Sequence, residues 1–198
     1  MKVYLLLVLP LMVFTACGSE PKSITDTTGL EDSADDTPAP NDDNTAIYDV
    51  DADDPYLLSN GYFLGMTPGG SLDDYIDGLR TGQIRTGEGE FDVLFIDAAE
   101  GDELGYVYTP DKTEPIIEQI TITSPKVVTE KGVRVGLSFD ELKQRLGPVE
   151  VYASEIESRV YATKDGITYR LNINGTPGKT TAADIGDDVE VMQIILGF

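Results

Sequence analysis

Ile167, Tyr169, Leu171 and Ile173 alternate with Thr168, Arg170 and Asn172, and a period of two places the apolar set on one side of an extended strand and the polar set on the other. Asp165-Gly166 stands between this run and a second one, Ser158 to Thr163. Both residues tolerate positive φ, so the pair predicts a two-residue hairpin and antiparallel pairing. More runs of the same kind follow from residue 91 on. Phe91, Val93 and Phe95 flank Asp92, but Leu94 and Ile96 are apolar too, which predicts a strand covered on both faces. Tyr106 with Tyr108, Ile116 to Thr123 and Val189 to Leu196 supply further strands. The terminal Leu196-Gly197-Phe198 is expected to be tied to the sheet.

One segment carries a clear helix signal, Gly132 to Val149. Ser138 and Glu141 have capping-box spacing, Phe139, Leu142 and Leu146 share one side, and Gly147-Pro148 ends the run. About two turns long, this helix has to pack on something to persist. A weaker copy lies at Gly70 to Gly82, with Ser71 and Asp74 at the cap spacing, Leu72, Tyr75, Ile76 and Leu79 as its apolar side, and Gly82 near the exit. A shift of 67 positions aligns Ser71 with Ser138, Asp73 with Asp140 and Leu79 with Leu146. Two readings stay open, an internal duplication or two ordinary capped helices. The expected fold class is α+β, an antiparallel sheet with short helices packed on one face, in two related helix-plus-strands halves.

The chain opens with Lys2 and an apolar run that reaches Phe14 and contains Pro10, too short for a stable bilayer span and of secretory-signal form. Phe14-Thr15-Ala16-Cys17 resembles the lipobox of bacterial lipoproteins, whose cysteine receives a diacylglyceryl group and becomes the mature amino terminus. Cys17 is the lone cysteine, so no disulfide forms within the chain, and lipidation is its expected fate. Each acyl chain would contribute on the order of 10 kcal/mol of membrane affinity.

Residues 17–60 hold twelve acids and one base, Lys22. Poor in bulky apolar side chains, this segment cannot offset its ordering entropy and is expected to be an extended acidic tether. Its sign argues against nucleic acid as a partner. Asp49, Asp51 and Asp53 alternate like the opening ligands of a calcium loop, but Asp54 stands where a turn glycine belongs and Asn60 where a bidentate glutamate belongs. No metal ligand is assigned. A single domain is expected over residues 61–198, with 24 of the chain's 36 acids and 12 of its 14 bases.

The chain contains no histidine, which removes the commonest general base and metal ligand. Asp73, Asp74, Asp140 and Glu141 occupy expected first helical turns, where capping accounts for them. Ser19 and Lys22 match a Ser-x-x-Lys pattern by chance, in the tether. Gly175 to Thr180 resembles a phosphate loop but has Ile173 where the motif needs glycine, and reads as a loop between strands. Tyr106, Tyr108, Tyr152, Tyr161 and Tyr169 are read as core and cross-strand packing, a sugar or ligand groove being the alternative. No catalytic residue and no cofactor is assigned.

The order of lipobox, tether, GSLDDYIDGL, strands, GVRVGLSFDELKQRLG and more strands resembles the RpoE-regulated lipoprotein family of small bacterial envelope proteins. The resemblance implies a link to envelope stress and no site residues. The expectation is a non-enzymatic lipoprotein, attached to the membrane through Cys17, whose domain faces the periplasm and binds an envelope protein or maintains the envelope. Gly18, in place of an aspartate, favours the outer membrane over the inner. The alternative is a carboxylate-dependent hydrolase or a small-ligand-binding lipoprotein.

Overall fold

In the computed structural model of the chain, which describes residues 50–111, 113 and 115–197, Asp165 and Gly166 take φ of 51° and 78°, and Lys164 faces Ile167 across the turn they make. The hairpin forms as its residues predict, and it belongs to a sheet larger than either of its runs.

Eleven strands are present among the described residues: β1 (Leu57–Ser59), β2 (Tyr62–Phe63), β3 (Arg80–Thr86), β4 (Gly89–Asp97), β5 (Glu103–Tyr108), β6 (Gln119–Ile122), β7 (Val128–Thr129), β8 (Glu150–Ala153), β9 (Arg159–Lys164), β10 (Ile167–Asn174) and β11 (Val191–Leu196). Eight form one sheet in the order β3-β4-β5-β6-β11-β10-β9-β8, antiparallel throughout. β2, β1 and β7 form a small second sheet. One α-helix, α1 (Phe139–Leu146), lies between β7 and β8.

The fold is therefore mostly β, and the expected α+β arrangement of helices packed on one face of the sheet is wrong. The second helix signal came true and the first did not. At α1, Ser138 Oγ accepts from the Glu141 N–H at 3.2 Å, while Glu141 Oε2 accepts from the Ser138 N–H at 3.0 Å. These bonds hold the Glu141 carboxyl below its usual range, the backbone bond contributing most. Gly147 ends the helix at φ 71°. At Ser71 the hydroxyl instead accepts from the Asp73 N–H, and the copy shrinks to a 3-10 turn at Ile76–Gly78.

Chain length explains the difference. Eleven residues, 139–149, separate Ser138 from β8, room for eight helical residues and a three-residue exit. Only eight, 72–79, separate Ser71 from β3. Gly82 is no helix exit but a strand residue, where an added Cβ would meet the Phe95 ring at 2.5 Å.

The core fills the space between one face of the large sheet and the layer made by α1 and the small sheet. Ile96, Val107, Ile120, Ile122, Leu171 and Ile194 project from the large sheet toward Phe139, Leu142, Leu58 and Phe63. Ordered structure thus begins before residue 61: β1 lies within the expected tether, with Leu58 1% exposed. The chain end is held as expected as far as it is described, Leu196 pairing with both Ile167 and Ile120. The signal segment, Cys17, the tether up to residue 49, and Phe198 lie outside the described residues.

Candidate docking trough

The second face of the large sheet carries no layer of described structure. β4 was expected to be covered on both faces; only Leu94 and Ile96 meet the core, and Phe91 and Phe95 point the other way. Cross-strand register shows what this open face carries. Phe95 pairs with Tyr106, Tyr106 with Thr121, and Thr121 with Ile195. On the far side Gln193 pairs with Arg170, Arg170 with Tyr161, and Tyr161 with Tyr152.

The face is strongly curved. Five strand spacings separate β4 from β9 in sheet order, about 24 Å at roughly 4.8 Å each. Yet the β3–β4 turn touches the β8–β9 loop, Gly87 N–H donating to Glu157 Oε1 at 2.6 Å. Such a contact requires the sheet to curl over its open face, bringing two hairpin tips together across it. The result is a trough of about 440 Å³. Its walls include Ile84, Phe91, Tyr106, Tyr108, Tyr161 and Ile195, and its polar groups include Gln119, Thr121, Arg159 and Gln193. Ile156, on the β8–β9 loop at the rim, is 75% exposed.

The aromatic rings brace one another. Phe91 meets Tyr108 edge-on at 6.1 Å, Phe95 meets Tyr106 edge-on at 6.2 Å, and Tyr152 stacks on Tyr161 at 5.6 Å. Burial, followed by the neighbouring Tyr161, pushes the Tyr152 hydroxyl above its ordinary pKa. Four of the five tyrosines singled out in the sequence therefore share this face, three of them lining the trough. Tyr169 does not, being 1% exposed in the core; burial drives its pKa up.

Charges on the face are mostly matched. Arg80 Nε donates to Asp97 Oδ2 at 2.7 Å and Arg80 Nη2 to Glu103 Oε2 at 3.2 Å, and the guanidinium also lies over the Phe95 ring. The Arg80 bond holds the Asp97 carboxyl low. Arg159 Nη1 lies 2.6 Å from Glu157 Oε2. Arg170 differs. Its Nη1 reaches Gln193 Oε1 at 3.3 Å, and its buried Nε–H meets no acceptor among the described residues. Burial, and after it the charge of Arg159, draws its pKa below the usual guanidinium value.

The acids weighed for chemistry do not converge here. Asp140 and Glu141 serve α1, and Asp73 binds Ser71. Glu157 is occupied by Gly87 and Arg159. Asp51 and Asp53 share an exposed turn, Asp51 Oδ1 accepting from the Asp53 N–H, and Asp49 lies outside the described residues. The phosphate-loop look-alike closes on itself, the Thr176 N–H donating to Thr180 Oγ1 at 2.7 Å. Among the described residues no group of three or more metal-ligating side chains occurs, and no helix is long and apolar enough to cross a membrane.

A second cavity of about 500 Å³ opens on the core side of β3 and β4, lined by Leu72, Ile76, Leu94 and Pro115 together with Thr81, Gln83 and Asp92. It lies where the first half lacks a helix, and Gln83 already donates to Asp92 within it.

Sequence reading passed over Arg159, Arg170 and Gln193. Arg170 did carry a signal, its place on the polar side of the β10 alternation. No local pattern reveals that the polar side of one strand and the aromatic side of another share a curved, uncovered face.

No protein-family model matches the chain, and no curated protein does. Among solved structures the chain is similar to the uncharacterized protein YfeY from Escherichia coli, at 16% identity and a TM-score of 0.41, over 60% of this chain and 80% of that one. A superposition of that quality decides nothing about what the trough does.

Proposed function

We propose that the chain is a bacterial envelope lipoprotein, held to the membrane by acylated Cys17, whose β-domain docks a partner protein in the trough without catalysing a reaction. The reading includes membership of the RpoE-regulated lipoprotein family and an outer-membrane, periplasm-facing location. The observation that carries it is the uncovered, aromatic-walled face closed at one end by the Gly87–Glu157 contact. Exposed apolar surface joined to ordered aromatics is the composition of docking surfaces. The lipobox at Cys17 and the acidic tether support the anchored placement. The absence of histidine and the engagement of Glu157 support the non-enzymatic part.

Site-specific photo-cross-linking in the native envelope tests the docking. A photoreactive residue at Ile84, in the trough, should give one discrete adduct. The same residue at Lys131, an exposed position in the loop after β7 on the opposite layer, should not. Identical patterns at both positions, or no adduct at Ile84, would sink the proposal. Mass spectrometry of the mature amino terminus tests the anchor, with acyl-cysteine at Cys17 expected.

A further inference from the structure

Resting on the docking reading above, we infer that the trough takes a basic side chain, lysine or arginine, of a partner polypeptide, and that Glu88 and Glu155 meet its charge. Three observations lead there.

The first is the charge of the lining. Three carboxylates, Glu88, Glu155 and Glu157, line the trough against one cation, Arg159, which leaves a net charge of −2. Both oxygens of Glu157 are engaged, Oε1 by the Gly87 N–H and Oε2 by Arg159, at 2.6 Å each. Glu88 and Glu155 are exposed, and neither carboxylate has a hydrogen-bond or ion-pair partner among the described residues.

The second is how those two acids are held. Glu88 belongs to the β3–β4 turn and Glu155 to the β8–β9 loop, the two hairpin tips that the Gly87–Glu157 contact ties together. Sheet curvature therefore keeps two like charges around one opening, and a cation between them relieves their repulsion.

The third is a precedent on the same face. Arg80 lies over the Phe95 ring, 4.6 Å from its centroid, while Asp97 and Glu103 meet its charge. A ring with two carboxylates is thus a setting in which this sheet already holds a cation. The trough repeats that setting without one, with Phe91, Tyr106 and Tyr108 in its wall and Glu88 and Glu155 at its rim. The aliphatic stem of a lysine or arginine packs along such rings while its charged end stays near water. The same two acids disfavour an acidic peptide, a nucleic acid or an anionic lipid surface.

The test uses the mature full-length protein against an array of short end-capped peptides. Each carries lysine or arginine and has a matched form with the uncharged counterpart, acetyl-lysine or citrulline. Peptides that bind should favour the charged form by about threefold to tenfold, the effect of one or two solvent-facing ion pairs, and the preference should shrink as salt is raised. Glu88→Gln combined with Glu155→Gln should abolish it. Asp74→Asn combined with Asp77→Asn, which removes two charges from exposed positions at the 3-10 turn on the opposite layer, should leave it unchanged. The charged-versus-uncharged comparison on the unaltered protein stands whether or not a variant folds. Equal binding of the two forms would overturn the basic-side-chain inference while leaving trough docking intact. So would a preference that survives the Glu88 and Glu155 changes or falls equally with the Asp74 and Asp77 changes. Binding of spermidine alone, or of no peptide in the array, would also overturn it. Failure of the Ile84 cross-link would instead remove the docking reading itself.

Discussion

The two halves of the large sheet are built alike and finished differently. Each begins with a serine bridged to the residue leading into its last strand, Ser71 to Ile116 and Ser138 to Glu190. Each then supplies four antiparallel strands, β3 to β6 and β8 to β11, and the two sets meet through their final strands, β6 beside β11. Over the second set lies α1, with Phe139 and Leu142 both fully buried. Over the first lies a single 3-10 turn with no buried residue. Thr81 and Gln83 on β3 are left exposed beside a 500 Å³ cavity, and Ile76 is 43% exposed. The same opening signal gives a helix only where the chain is long enough to return its apolar side to the sheet. Cap chemistry starts a helix, and burial keeps it.

That contrast can be broken most directly at the roof residues. Phe139→Ala should cost about 3–5 kcal/mol, the usual loss for emptying a fully buried aromatic site, whereas Ile76→Ala should stay within about 0.5 kcal/mol. Urea unfolding of the two variants decides it, and equal losses would mean that the first half is roofed as well as the second. Next in size, Gly82→Ala should cost about 1–3 kcal/mol through overpacking, because the new methyl meets the Phe95 ring. An unchanged melting midpoint would show that β3 is not pressed against its neighbour as described. The smallest effect belongs to the caps. Ser138→Ala should cost about 1 kcal/mol, and Ser71→Ala no more than about 0.5 kcal/mol.

The Ser138 effect should also depend on pH. Because the folded state lowers the Glu141 pKa, the carboxylate's contribution is complete above the ordinary carboxylate range and fades as pH falls through the lowered value. The gap between the natural chain and Ser138→Ala should therefore narrow in acid. A gap that widens there would remove the capping box as its cause.

Local chemistry alone located most of what is short-range. The Asp165-Gly166 turn, the α1 cap and stop, and the strands around Phe91, Tyr106, Ile120, Tyr169 and Ile194 are all legible, because turn geometry, capping and period-two alternation act within a few residues. The signal-like start, the lipobox-like residues before Cys17 and the acid-rich stretch are features of the local sequence and are read without a fold. Three things were settled only in three dimensions. Leu57–Ser59 became a strand because β2 and β7 were there to pair with it. Residues 80–82, the end of the expected first helix, became the start of a strand in a ladder with β4. Arg159, Tyr161, Tyr106 and Glu157 came to share one trough because the large sheet curls until its hairpin tips meet. The β1–β7 pairing and the Gly87–Glu157 contact join residues about seventy positions apart, and no short window of the chain contains both partners.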